Sequence, residues 1–376
     1  MGSAIIYSKK LNGKVIARPC HETGNTAMFF AMLSKKPCKI ENLTFDDTAR
    51  FLLVAAEEAG IVAEKTDNSV SFTGSDEPIE LYYRLTEGLF DDYTEIPHTL
   101  VPGDYFLRSD VPVEMLIGLI AGLAVLDGDS HIVLTNTPEQ IRRIELALHI
   151  LGRFGVLIEI ANGGTDYHIT GGQPLVADVF VNESDWKQAA FYLLADVIGA
   201  NITVKGLHEK TIQSGILVLN PLKRMGARFT DTADGMITHV NYDGLFAVNA
   251  DAFECPEMLP VVMAAATVAD GTTVIKEFNG LDTKAYETAV NMRDELVKLG
   301  ANIVINDNSM IITGKKKIRG GARVSGHGDI VSSLALLALA VRCEKALIIN
   351  DFEKFEEMYP GFIAEYKELG GCIGNF

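Results

Sequence analysis

The feature that most constrains the fold of this chain is an internal repeat of one supersecondary unit. Each copy has an apolar run of helical length, a short polar turn, a strand rich in Ile and Val, and an amphipathic helix that ends at a glycine. Five copies are readable, and their apolar runs are residues 27–33, 115–126, 189–198, 258–269 and 333–341. The closing glycines are Gly60, Gly155, Gly226, Gly300 and Gly370. Each is expected in the left-handed conformation at a helix C-terminus, so the repeat predicts an α/β protein built from similar units.

Composition limits the class of protein. The chain has 376 residues, of which 48% are hydrophobic, enough to bury large cores in about two or three domains. No apolar run reaches the roughly 20 residues needed to cross a bilayer, and the N-terminus lacks the pattern of a signal peptide. A cytoplasmic protein without a membrane partner is therefore expected. The five cysteines form no CxxC pair, which predicts buried thiols instead of disulfides or a zinc site.

Charge and motifs restrict the ligand. A net charge of -17 argues against nucleic acid or an anionic membrane as partner, because phosphate backbones bind basic surfaces. The chain also lacks a Walker A loop, a dinucleotide fingerprint, HExxH and GxSxG. These observations leave a small-molecule ligand, with no cofactor and no metal expected. A phosphorylated ligand would need a locally positive site. A monomer is expected in preference to an oligomer.

The repeat resembles the enolpyruvyl transferase family, and the EPSP synthases more closely than the enzymes that use UDP-N-acetylglucosamine. Residues 27–33 with 40–48, and residues 264–273 with 293–301, carry the likeness. The resemblance implies an α/β fold of two lobes, an inside-out α/β barrel built from βαβαββ-type units. One lobe would span residues 19–183, and the other would combine residues 1–18 with 184–376 and hold three repeats. The second repeat is shortened, since within residues 75–109 only residues 77–85 resemble its second helix.

The family activity that the resemblance implies is transfer of a carboxyvinyl (enolpyruvyl) group from phosphoenolpyruvate to a hydroxyl of a cyclic acceptor such as shikimate 3-phosphate, in aromatic amino acid biosynthesis by the shikimate pathway. The resemblance therefore implies a small-molecule anionic or polyol substrate. It also implies three catalytic residues. Glu257 stands where the family has the aspartate that orients the acceptor hydroxyl. Lys284 keeps the lysine of a Lys-Glu pair, and His327 begins the triplet that is Asp-His-Arg in the family.

Most family anion-binding residues are replaced. His21 and Glu22 stand in the cluster that is Gly-Ser-Lys-Ser in the family, and the nearby family arginine is Thr26. Losing three or more charged contacts, each contributing about 1.5–3 kcal/mol, would weaken binding by several orders of magnitude unless other groups compensate. Arg142 and Arg143, the only adjacent arginines in the chain, are the best remaining candidates for an anionic group. The predicted substrate-binding residues are His21, Glu22, Arg142, Arg143, Asp282 and Asp329.

Two other functions fit the same residues. The chain could be a noncatalytic ligand-binding or regulatory paralogue, or a lyase or isomerase acting on a cyclic polyol acid. Acidic residues at helix starts are also favoured by the helix dipole without any ligand. The spacings of His21 with Glu22 and of His327 with Asp329 are too nonspecific to predict a metal. Trp186, the sole tryptophan, is expected to pack in a core.

Overall fold

A computed structural model describes residues 2–75, 99–136, 141–232, 235–240, 244–350 and 352–375. The segment expected to hold the shortened repeat, residues 77–85, lies outside the described residues. The helices of the described residues are α1 His21–Leu33, α2 Asp47–Glu58, α3 Val113–Val125, α4 Ile141–Arg153, α5 Trp186–Val197, α6 Leu219–Arg224, α7 Leu259–Val268, α8 Thr283–Lys298, α9 Ile330–Leu339, α10 Lys354–Met358 and α11 Phe362–Glu368.

The strands of the same residues are β1 Ala4–Tyr7, β2 Asn12–Ile16, β3 Cys38–Glu41, β4 Ala63–Lys65, β5 Ser69–Phe72, β6 Asp104–Leu107, β7 Ser130–Leu134, β8 Ile158–Ala161, β9 Asp166–Ile169, β10 Val179–Val181, β11 Asn201–Lys205, β12 Ala227–Thr232, β13 Gly235–Val240, β14 Asn249–Asp251, β15 Thr272–Lys276, β16 Asn302–Asn306, β17 Ser309–Thr313, β18 Ile318–Gly320, β19 Arg323–Val324, β20 Cys343–Lys345, β21 Leu347–Ile349 and β22 Cys372–Asn375.

Four of the five repeats share one sheet topology. In the sheets β10-β3-β5-β4, β6-β7-β9-β8, β14-β15-β17-β16 and β19-β21-β1-β22, the first two strands are parallel and the other two pairs antiparallel. The remaining repeat has the parallel pair β2 with β11 and the antiparallel hairpin of β12 and β13. The predicted repeat is therefore confirmed.

The chain divides into two compact units, Met1–Arg18 with Ser184–Phe376 and Pro19–Glu183. These are the ranges that the resemblance implies for the two lobes. The unit of residues 19–183 holds α1 to α4 and the sheets of β3 and β7. The other unit holds α5 to α11 and the remaining sheets. Each unit encloses its own hydrophobic core.

The first helix of each repeat forms the centre of its core. In α3 every residue from Met115 to Ala124 is buried, and α5, α7 and α9 pack against one another in the larger unit. A helix that is apolar on all faces can lie only in an interior, as the long apolar runs predict. Trp186 is 1% exposed, which confirms its expected core position.

The closing helices end as predicted. All five closing glycines have positive φ angles, from 79° at Gly60 to 102° at Gly226, and such angles are favourable for glycine alone among common residues. The free cysteines also agree with the prediction, since four are buried and Cys372 is partly exposed. Among the described residues, no helix combines the length and apolar character needed to cross a membrane.

Candidate functional site

His21 begins α1 in the unit of residues 19–183, and its ring contacts the start of α2. Its Nδ1 lies 3.0 Å from Oδ2 of Asp46. Asp46 caps α2 by accepting a hydrogen bond of 2.7 Å from the N–H of Ala49, and Nδ2 of Asn25 donates to the same carboxylate at 3.1 Å. Burial would raise the pKa of Asp46, but the hydrogen bonds from His21, Ala49 and Asn25 outweigh burial and lower it. The ionised carboxylate therefore holds the imidazole.

Glu22 and Arg143, both predicted to bind substrate, contact each other. Nε of Arg143 lies 2.9 Å from Oε1 of Glu22, and its terminal Nη2 lies 2.8 Å from Oε1 of Glu114. Burial would lower the pKa of Arg143, but the contacts to Glu114 and Glu22 raise it. These three side chains come from the first turns of α4, α1 and α3. The chain's own carboxylates thus neutralise the guanidinium, while neighbouring Arg142 is exposed.

Glu257 lies at the start of α7 in the other unit, within the 3-10 turn Pro256–Met258. Its Oε2 accepts a hydrogen bond of 2.6 Å from Oγ of Ser214 and lies 3.0 Å from Nζ of Lys187. The side chains of Lys187 and Glu257 are 33% and 35% exposed, so the carboxylate is oriented from within the protein and reachable from solvent. A carboxylate held in this way can accept a hydrogen bond from a hydroxyl.

Asp282 and Lys284 lie at the start of α8. Asp282 is the N-cap and accepts a hydrogen bond of 2.8 Å from the N–H of Ala285, which accounts for its position without a ligand. Lys284 is the second residue of the helix and is exposed. A cation in the first turn opposes the helix dipole. The stability of α8 therefore does not explain why a lysine, Lys284, occupies this position.

His327 adopts a left-handed backbone with φ of 51°. Its Nε2 lies 2.7 Å from Oε1 of Glu295, a carboxylate whose side chain is only 2% exposed. Nζ of Lys298 reaches the same oxygen at 2.7 Å, and the N–H of Ser325 donates to Oε2 at 3.3 Å. A positive φ in a non-glycine residue costs about 1 kcal/mol or more, and these contacts to α8 hold the strained turn in place.

Asp329 caps α9 by accepting a hydrogen bond of 2.6 Å from the N–H of Ser332. It lines a small pocket together with Gly326, Ser333, Lys354 and other residues of the same unit. Gly326 is required there, since a Cβ at this position would lie 2.0 Å from Oγ of Ser333. The pocket thus combines a helix N-terminus with one lysine.

The contacts of the predicted residues involve several partners that sequence reasoning missed. They are Asp46, Glu114, Lys187, Ser214 and Glu295. A signal was present for two of them. Asp46 precedes an amphipathic run at the position of an N-cap, and Lys187 is a cation in a first turn, where the helix dipole disfavours it. The other three partners have no comparable local signal.

The chemistry of the described side chains does not point to a metal. In the described part of the chain, no group of three or more His, Cys, Asp or Glu side chains is arranged to hold an ion. The two histidines considered from the sequence are each engaged with a carboxylate, His21 with Asp46 and His327 with Glu295.

Comparison with known proteins identifies the family. A family model for EPSP synthase (3-phosphoshikimate 1-carboxyvinyltransferase) matches residues 108–365, more than half of the 376 residues. This chain belongs to the EPSP synthase family. The match includes the positions of Glu257, Lys284 and His327, and the resemblance seen in the sequence is confirmed.

Related proteins of the EPSP synthase family align along the whole chain. The 3-phosphoshikimate 1-carboxyvinyltransferase of Clostridioides difficile strain 630 is 28% identical over 436 aligned residues, which cover 100% of this chain and 99% of that protein. Because the alignment is longer than the 376 residues of this chain, the chain has gaps relative to it.

Solved structures of the family share the fold. An EPSP synthase from Acinetobacter baumannii superposes with a TM-score of 0.78 at 17% identity, over 100% of both chains. The enolpyruvyl transferase NikO from Streptomyces tendae gives a TM-score of 0.73 at 16% identity, over 100% of this chain and 99% of that chain. The predicted α/β enolpyruvyl transferase fold is therefore confirmed.

Proposed function

We propose that this chain is an enolpyruvyl transferase of the EPSP synthase type. It would transfer the carboxyvinyl group of phosphoenolpyruvate to a hydroxyl of a cyclic acceptor such as shikimate 3-phosphate. Membership of the family supports this function. The single observation that carries the proposal at the site is Glu257, whose carboxylate is oriented by Ser214 and Lys187 and remains reachable from solvent.

In this proposal Glu257 accepts a hydrogen bond from the acceptor hydroxyl and takes up its proton as the oxygen attacks the central carbon of phosphoenolpyruvate. The methylene carbon of phosphoenolpyruvate is protonated in the same step. Loss of phosphate and of one proton from the new methyl group then restores the vinyl group. Lys284 and His327 are the candidates for contact with the anionic substrate and for proton transfer, because an ammonium and an imidazole suit these tasks.

Cations at helix starts support an anionic substrate. Arg143, Lys187 and Lys284 each lie in the first turn of a helix of the described structure. Positive charge there opposes the helix dipole, while the exposed N–H groups of such a turn favour an anion. A phosphate or carboxylate bound at one of these turns would interact with both the cation and the backbone N–H groups. Arg143 and Lys187 already contact carboxylates of the chain, so exposed Lys284 is the cation of the three that offers local positive charge in a chain with a net charge of -17.

A noncatalytic ligand-binding paralogue is the second candidate, and one observation favours it. Arg143 is already engaged by two carboxylates, Glu22 and Glu114, and His21 by Asp46. An anionic substrate would have to compete with these carboxylates for the same cations. A binding or regulatory protein for a less anionic ligand would not face this competition. A lyase or isomerase of a cyclic polyol acid has no comparable observation in its favour.

The test is calorimetric titration with shikimate 3-phosphate, with and without phosphoenolpyruvate, followed by a phosphate-release assay at high protein concentration. Binding with phosphate release supports the transferase. Binding of shikimate 3-phosphate without release would favour the paralogue, and no response in either assay would refute the proposal.

A pair of variants connects activity to the site. Glu257→Gln should lower phosphate release by about 10²-fold or more, as expected for loss of a general base. Glu209→Gln is the matched control, because Glu209 forms a similar ion pair of 3.0 Å with Lys223 in the same unit, with both side chains 43% exposed. The control should retain full activity. Equal activity of the two variants would exclude Glu257 from the mechanism.

A further inference from the structure

Lys187 contacts the carboxylate of Glu257 in a defined way. Nζ of Lys187 and Oγ of Ser214 both approach Oε2, at 3.0 Å and 2.6 Å. Two donors on one oxygen restrict rotation of the carboxylate about its last side-chain bond, because rotation would break both contacts. Lys187 therefore acts on the orientation of Glu257 as well as on its charge.

The backbone that carries Lys187 is firmly anchored. Asp185, which is 7% exposed, caps α5 by accepting a hydrogen bond of 2.9 Å from the N–H of Gln188. The N–H of Trp186 donates to Oε1 of Gln213 at 3.2 Å, and the indole is buried. Lys187 thus projects from a rigid turn, and its ammonium is presented to Glu257 with little backbone freedom.

Stability of the fold does not account for a lysine at this position. In the first turn of α5 a cation opposes the helix dipole. A partly exposed ion pair contributes little to folding because solvent screens it. The alternative explanation is a functional one, in which Lys187 acts on the group that it contacts.

The described elements packed against the turn of Glu257 contribute few charges. The 3-10 turn Ser214–Val218 and helix α7 pack against the turn of Glu257, and neither contains a charged residue. On the chain just before Glu257, the carboxylate of Glu254 lies 2.8 Å from Arg224 and also accepts a hydrogen bond from the N–H of Asp251. Within these described elements, Lys187 is therefore the main cation in contact with Glu257.

We propose that Lys187 is a positioning residue for the transferase reaction, which holds the Glu257 carboxylate ionised and correctly turned toward the acceptor hydroxyl. The inference rests on the proposed function, since it assigns Lys187 to the same site. It also defines how the site tolerates glutamate where the family has aspartate. The longer side chain has one more rotatable bond, and the contacts of Lys187 and Ser214 limit that added freedom.

Steady-state kinetics of Lys187→Met, Lys187→Arg and Lys223→Met test the inference. Lys187→Met should lower kcat about tenfold and leave KM for the acceptor within about twofold, because the positioned group acts in the transition state. Lys187→Arg should restore most of kcat. Lys223→Met, which removes the matched surface pair with Glu209, should match the wild type.

Two kinetic outcomes would overturn the inference. A raised KM with unchanged kcat in Lys187→Met would mean that Lys187 contacts the substrate directly. Unchanged kinetics in all three variants would mean that the ion pair has no role. Equal thermal midpoints of Lys187→Met and Lys223→Met would confirm that loss of folding does not explain a loss of kcat.

A measurement without turnover separates this inference from the proposed function. The side-chain carboxyl of Glu257 can be titrated by carbon-13 NMR in the whole protein, with Glu257→Gln used to assign the signal. Removing a cation at 3.0 Å should raise the pKa of Glu257 in Lys187→Met relative to the wild type. An unchanged titration would refute the inference. A raised pKa in a protein that shows no phosphate release would refute the transferase function, and with it the positioning role, but not the contact of Lys187 with Glu257.

Discussion

Replacing Asp46 with alanine should destabilise the unit of residues 19–183 by about 2–4 kcal/mol. Loss of the N-cap hydrogen bond to Ala49 contributes about 1 kcal/mol. Loss of the contacts to His21 and Asn25 contributes about 0.5–1.5 kcal/mol each, since both partners are part-buried. The side chain of Asp46 is 21% exposed, so solvent screens these contacts only in part.

The assay must report on α2 itself, because the sole tryptophan, Trp186, belongs to the other unit. Hydrogen exchange of the amides of residues 47–58, followed by mass spectrometry, measures the free energy of opening of this helix. Asp47→Ala is the matched control. Its side chain is 99% exposed and pairs with Arg50 in the same helix, so its loss should change exchange far less.

The pH dependence of Asp46→Ala tests the cause. The pKa of Asp46 is lowered in the folded protein, so its stabilisation is fully present above the unfolded value of about 3.9 and is lost as pH falls through the lower folded value. The difference between the wild type and Asp46→Ala should therefore be largest near neutral pH and shrink below about pH 4. A change below about 0.5 kcal/mol, or an equal effect of Asp47→Ala, would refute the reasoning.

Two further predictions concern buried groups. Glu295→Gln should destabilise the larger unit by about 1–3 kcal/mol in urea unfolding monitored by Trp186 emission, because the buried carboxylate accepts hydrogen bonds from His327 and Lys298; an unchanged midpoint would contradict this. Burial raises the pKa of Cys38 and of Cys343 to about 12, so both thiols should resist maleimide at pH 8 until the protein unfolds. Labelling of these cysteines in the folded protein, read by peptide mass spectrometry, would show that they are accessible.

The elements of the repeat could be predicted from the sequence because their signals are local. The apolar run of residues 115–126 matches a helix observed at Val113–Val125, and that of residues 258–269 a helix at Leu259–Val268, each to within one or two residues at either end. The pattern that specifies each helix, apolar on every face in the first and amphipathic with a closing glycine in the second, lies within about fifteen residues. The run of residues 333–341 shows that such a run does not fix the exact helix end, because α9 ends at Leu339 and the chain continues as a 3-10 turn.

The candidate site was predicted only in part. The nine predicted site residues lie at helix starts or close to them. The residue types at these positions could be read from the sequence and from the family likeness. Their functional roles stay predictions until the experiments above are done. The carboxylate partners of His21 and His327 were not foreseen, since Asp46 and Glu295 are separated from them by 25 and 32 residues.

The repeated α/β unit, its helix ends and, through the family likeness, the class of fold follow from the amino-acid sequence. Which charged side chains meet follows from the packing of the folded chain. Arg143 reaches Glu22 across 121 residues of chain, and Lys187 meets Glu257 at the starts of two different helices. The physical reason is that helix formation and termination depend on neighbours within a few turns. The partner of a charged side chain depends on how distant helices pack, and no local pattern encodes that.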